Sequence, residues 1–214
     1  NYAHHIAVHT ASSVMRVDDW QRGTTFVDNI IYVSNLGGIT RKNFNHIENN
    51  MLIDVRMEGY LRFASYPDEK AGYGSKIQRN IFYESGPDVT YYKPAYLASP
   101  DVSLPKHCKA DHNLFYCAGD STYSETHIKD MQKDGIEQHS ISADPLFEDL
   151  ENADFRLQPN SPALNLGFQP IDMNRIGLTR DFPERFQKLD QQEDNSNPEY
   201  DRGRNPNKEA YAWW

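Results

Sequence analysis

Four segments of the chain repeat one arrangement of hydrophobic and polar positions. "FVDNIIYVSN" begins at Phe26, "HIENNMLIDV" at His46, "KIQRNIFYES" at Lys76 and "KADHNLFYCA" at Lys109. In each, an apolar or small residue (Phe26, Ile47, Ile77, Ala110) precedes an asparagine by three positions. That asparagine (Asn29, Asn50, Asn80, Asn113) is followed by two or three large, mostly apolar side chains. The asparagines are 21, 30 and 33 residues apart, which marks an internal repeat. Each unit reads as a short strand, a turn at the asparagine and a second short strand. The intervening segments, such as "NLGG", "SYPDEKAGYG" and "ASPDVSLP", are rich in glycine, proline and polar residues, and none sustains a helical apolar period over a dozen positions. A βαβ unit needs such a helix, so the pattern predicts an all-β fold of stacked parallel strands, a solenoid. An antiparallel β-sandwich is the alternative, and the absence of Asn-Gly hairpin signals weighs against it.

The repeated asparagine has two expected roles. It tolerates the left-handed backbone of a sharp bend. Its amide both donates and accepts, so asparagines on coils about 4.8 Å apart can form a ladder along the axis. A fifth, degenerate coil is expected at "HSISADPLFED", with Asp144 at the ladder position, 31 residues after Asn113, and with Pro145 ending the sheet. The chain thus divides into about five β-helix coils (1–150), a C-terminal cap segment over the last apolar layer (151–181), and a polar, extended tail (182–214). Because "NYAHHIAVHT" opens in mid-pattern, the coils are expected to be the C-terminal part of a longer helix.

Bulk properties narrow the partners. Of 214 residues, 38% are hydrophobic and 12% aromatic, enough for a core. The net charge of −9 argues against a nucleic-acid partner. No run approaches the roughly 18 apolar residues of a membrane span. Cys108 and Cys117 flank an extended stretch too long for a disulfide, lack the spacing of a metal site, and read as structural.

"GIEQHSISADPLFEDLENADFRLQPNSPALNLGF" resembles the C-terminal closing segment of secreted bacterial right-handed parallel β-helix proteins. These include many carbohydrate-active enzymes, with glycoside hydrolase family 141 among them. Upstream, "VMRVDDWQRGTTFVDNIIY" followed by "GGITRKNFNHIENNMLID" is similar to a pair of coils in the same group. The resemblance spans roughly residues 14–172. It implies a right-handed helix, a secreted or periplasmic location and a polysaccharide or oligosaccharide substrate.

Strand parity then selects candidate chemistry. If Met15 and Val17 point inward, Arg16 and Asp18 point outward. Stacking Val17, Ile39 and Leu61 would place Asp18, Thr40 and Arg62 in one outward column, with Glu58 and Tyr60 on the same face. Glycoside hydrolysis needs two carboxyl groups, and Asp18, Asp19 and Glu58 are the catalytic candidates. Trp20, Tyr60, Arg41, Arg62, His5 and His9 are candidate substrate-binding residues. No metal or cofactor is expected for a hydrolase. A polysaccharide lyase on the same scaffold would use Arg62 or Lys42 as base and Ca²⁺ held by Asp18, Asp19 or Glu58. A third reading is a non-catalytic structural or adhesive module, assembling through its coil ends with the rest of a longer chain or with another copy.

Overall fold

A computed structural model describes residues 2–4, 13–17, 21–34, 37–55, 59–63, 73–94 and 107–173. The short strands wind as predicted. After β1 (Tyr2–His4), the coils run β2 (Ser13–Arg16), β3 (Thr25–Val27), β4 (Ile30–Ser34); β5 (Gly37–Arg41), β6 (His46–Glu48), β7 (Met51–Val55); β8 (Leu61–Phe63), β9 (Lys76–Gln78), β10 (Ile81–Glu84); and β11 (Tyr92–Pro94), β12 (Lys109–Asp111), β13 (Leu114–Cys117). The first strands of successive coils form one parallel sheet (β2-β5-β8-β11), the second strands another (β3-β6-β9-β12), and the third strands, with β1 and β14 (Ile141–Ser142), a six-stranded one. We call these the first, second and third sheets. Every pairing between coils is parallel, which removes the sandwich alternative. The one antiparallel pair among the described residues is β15 (Phe147–Asp149) with β16 (Asp154–Leu157).

The interior is stacked in register. Ile31, Leu52, Phe82 and Phe115 line up across the third sheet and are fully buried. Phe82 and Phe115 stack face to face at 4.8 Å between centroids, 11° from parallel. Ile39 and Leu61 stack in the first sheet, and Ile47 and Ile77 in the second. Gly38 permits a close crossing, because a Cβ there would stand 2.4 Å from the Tyr60 carbonyl oxygen.

The asparagines do form a column. Asn29 Nδ2 donates to Asn50 Oδ1 at 2.8 Å, Asn50 Nδ2 to Asn80 Oδ1 at 2.9 Å, and Asn80 Nδ2 to Asn113 Oδ1 at 3.0 Å. Each acceptor oxygen also takes the backbone N–H of the asparagine one coil before it. The left-handed backbone falls one residue earlier than expected, on Asp28, Asn49, Arg79 and His112, with φ of 57°, 56°, 52° and 57°. The asparagine itself is thereby free to aim its amide along the axis. The fifth rung is not Asp144, which is exposed and caps the Leu146 N–H at 2.8 Å. β14 pairs Ile141 with Leu114, so Ser140 stands opposite Asn113 and accepts its N–H at 2.8 Å. Asn113 Nδ2 donates to the buried Glu137 carboxylate at 3.0 and 3.2 Å, ending the ladder on a carboxyl group.

Two elements close the solenoid. α1 (Thr122–Lys133) lies over the last apolar layer, where Ile128 and Met131 join the interior cluster. Residues 145–173, with β15, β16 and α2 (Pro162–Asn165), lie along the flank. There Phe147, Phe155, Ala163 and Phe168 cover Ile30, Met51, Ile81 and Leu114 on the outer face of the third sheet. Gln169 ties this strap to an early coil, exchanging hydrogen bonds with Asn49 at 2.7 and 2.8 Å. The last-layer cover is thus the helix, which the sequence pattern did not reveal.

Candidate functional site

The strap covers the outer face of the third sheet, and the predicted groove belongs to the outer face of the first. Its register is Met15–Ile39–Leu61–Tyr92 on the core side. The next position along each strand gives Arg16, Thr40, Arg62 and Lys93 as one column. Arg16 is exposed and Lys93 half-buried. Arg62 lies between Leu61 and Phe63, both fully buried, so alternation sends its side chain to the other face. There it is only 7% exposed. A guanidinium so screened from bulk water interacts more strongly with an opposing charge.

This column corrects the predicted register of the first coil by two residues. Met15, not Val17, stacks on Ile39, so Arg16 occupies the place expected for Asp18. The stacking of Ile39 on Leu61, and of Thr40 on Arg62, is as expected. Tyr60 does not share the outward face. It is fully buried, with its ring packed edge-on to Phe82 at 6.1 Å and its hydroxyl bonded to the Tyr83 carbonyl oxygen and to Glu84 Oε2, the latter at 3.1 Å. Burial, and then the nearby Glu84 and Asp54 carboxylates, push its phenol well above the usual range. A core tyrosine of this kind cannot stack on a sugar ring. Asp18, Asp19, Trp20, Glu58, His5 and His9 lie outside the described residues. Arg41 ends β5 opposite Phe63, and its side chain lies outside them as well.

Beside the first sheet, the turn leading from β10 to β11 forms a cleft of about 150 Å³ lined by Val55, Glu84 and residues 86–90. Two buried carboxylates shape it. Asp54 Oδ1 accepts the Ser85 N–H at 2.7 Å and its hydroxyl at 2.9 Å, and Glu84 Oε1 accepts the Gly86 N–H at 2.8 Å. They follow the register pair Ile53–Tyr83, so they come from neighbouring coils. Asp54 departs from strand geometry at φ 53°, which turns it out of the alternation. Sequence reasoning missed both, because each sits inside an apolar run ("MLIDV", "IFYES") whose parity assigns it no special face. It also missed Lys93, whose strand is a three-residue piece ending in proline.

Cys108 and Cys117 are buried free thiols, in keeping with a structural role. No helix among the described residues is long and apolar enough to cross a membrane. No protein-family model, curated protein or solved structure matches the chain.

Proposed function

We propose that this chain is a carbohydrate-active enzyme built on a right-handed parallel β-helix and acting outside the cytoplasm on an anionic polysaccharide. The observation that carries the reading is the column Arg16, Arg62 and Lys93 on the outer face of the first sheet, in a chain whose net charge is −9. Arg62 and Lys93 lie one coil apart and Arg16 two coils before Arg62, with Thr40 between, and cations spaced by whole coils of about 4.8 Å suit a polymer bearing carboxylate or sulfate groups. In this reading the sugar chain lies across the coils and the basic column fixes its charged groups. Hydrolysis falls to a carboxyl pair drawn from Asp18, Asp19 and Glu58, one protonated as acid and the other acting as base or nucleophile.

β-Elimination is the second reading, and the same column favours it. Cationic groups beside a uronate carboxylate acidify the neighbouring C–H proton that a lyase removes. The test is a panel of neutral, uronate-containing and sulfated polysaccharides, followed by reducing-end release and by the ultraviolet absorbance of an unsaturated product. Hydrolysis gives the first signal alone and elimination gives both. Cleavage of neutral glycans only, or cleavage that survives Arg62→Ala and Lys93→Ala unchanged, would overturn the assignment of the groove.

A further inference from the structure

Away from the proposed groove, the corner between the second and third sheets carries a second cluster. Asp111 ends β12, and His112 takes the left-handed position before the ladder residue Asn113. His139 precedes Ser140, which stands opposite Asn113, so the two histidines are register neighbours on successive coils. Their rings stack with centroids 5.0 Å apart and planes 26° apart. Both turn Nδ1 toward Asp111 Oδ2, at 3.3 Å from His112 and 2.7 Å from His139. The other carboxylate oxygen is fully occupied, because Asp111 Oδ1 accepts the backbone N–H groups of His112 at 2.9 Å and His139 at 2.7 Å. Those two bonds fix the carboxylate plane and leave Oδ2 facing the imidazoles.

We propose that Asp111, His112 and His139 form a binding site for a divalent transition cation of the zinc class, leaving coordination positions open to water or an exogenous ligand. Two imidazoles and one carboxylate are a donor set such cations accept. The three donor atoms lie within 4.8 Å of one another. Tetrahedral coordination with bonds of about 2.0–2.1 Å needs donors about 3.3–3.5 Å apart, so small side-chain rotations complete the site. Each imidazole would ligate through an unprotonated Nδ1, so a proton that His139 Nδ1 shares with Asp111 Oδ2 moves to Nε2 of the same ring or, from an imidazolium, to solvent. The carboxylate bonds from the backbone act as outer-shell orientation.

The corresponding position two coils earlier shows the contrast. There Glu48 is ion-paired with Arg79 and hydrogen-bonded to the His46 ring. Around Asp111 no Lys or Arg stands within ion-pair distance among the described residues, and the carboxylate faces the two imidazoles. A cation held here joins the fourth coil to the segment that returns from α1, so it also fastens the end of the solenoid.

The test is titration of the full chain with Zn²⁺ alone by calorimetry, and with Co²⁺ followed by its visible d–d bands. His112→Gln and His139→Gln serve as variants. Both side chains are largely exposed, at 46% and 69%, so the variants keep the fold, which circular dichroism verifies. The wild-type chain is expected to bind one equivalent and to gain thermal stability from it. Each variant should weaken binding by at least about tenfold, since even outer-shell changes cost about 10–100-fold. Absence of Zn²⁺ binding, or binding that the two variants leave unchanged because His4, His5 and His9 hold the metal instead, overturns the proposal.

Discussion

Replacing Asn80 by alanine tests the physical basis of the fold most directly. Its amide sits in the middle of the ladder and makes five buried or half-buried hydrogen bonds. Nδ2 donates to the carbonyl oxygens of Ile47 and Gln78 and to Asn113 Oδ1, all at 3.0 Å. Oδ1 accepts from Asn50 N at 3.0 Å and Asn50 Nδ2 at 2.9 Å. At about 0.5–1.5 kcal/mol net per bond, their loss is worth roughly 2.5–7.5 kcal/mol. The sharpest part of that is one orphan. Asn50 Nδ2 keeps the Phe26 and Glu48 carbonyl oxygens, whereas the Asn50 backbone N–H is left buried with no acceptor. Asn29 is the natural control. It stands at the first described rung, and among the described residues its side chain makes two bonds, Nδ2 to the Val27 carbonyl oxygen at 3.1 Å and to Asn50 Oδ1 at 2.8 Å. Asn29→Ala should therefore cost about 1–3 kcal/mol. Urea unfolding of the two variants reads the difference. With a slope of about 2 kcal/mol per molar urea, Asn80→Ala should lower the midpoint by roughly 1–4 M and Asn29→Ala by clearly less. Equal shifts in the two, or a loss below about 1 kcal/mol at Asn80, would show that stacked apolar layers hold the coils together without the ladder.

The remaining expectations concern titration, packing and the groove. Burial pushes Glu137 up to about 7 from its ordinary 4.5, against hydrogen bonds from Ser140, Tyr92 and Asn113 that pull it down, with the nearby Asp111 charge adding to the rise. A raised carboxyl favours the fold below pH 4.5 and costs it as pH rises through 7, about 3 kcal/mol in all. Burial against Tyr91, Tyr92 and Phe115 holds His127 down at about 4, with Asp130 opposing, so stability is lost as pH falls from 6.5 to 4, again by about 3 kcal/mol. The two slopes oppose each other between pH 4.5 and 6.5. Glu137→Gln should therefore give stability that rises with pH there, and His127→Leu stability that falls, while the wild type stays nearly flat; identical slopes in all three proteins by urea titration would refute the assignment. Phe115→Ala removes the end member of the stacked aromatic column and should cost about 3–5 kcal/mol, measurable as a fall in melting temperature. Arg62→Ala should weaken binding of an acidic oligosaccharide by about tenfold or more, and added salt should shrink that difference. Equal affinity of variant and wild type in low salt would remove Arg62 from the site.

What could be read from the sequence divides along a physical line. The second and third sheets were legible because each coil carries its own marker: the asparagine fixes where the strand before it ends and the strand after it begins, so Ile47 on Ile77, and Phe82 on Phe115, follow from alignment alone. The first sheet has no such marker. Its strands are reached through connections of different lengths, so parity gave Arg16 its face while the register slipped by two, with Met15 rather than Val17 meeting Ile39. The helix α1 escaped for a related reason. A helix that closes the end of a solenoid buries little more than Ile128 and Ser124, so "TYSETHIKDMQK" carries almost no apolar stripe to detect. Asp111, His112 and His139 escaped because two of them are adjacent and the third returns only after that unseen helix. Each miss therefore sits where the chain is organised by the coil beside it and not by its own local pattern. In a solenoid register decides which side chains become neighbours across coils, and both surface clusters are drawn from successive coils rather than from any contiguous motif.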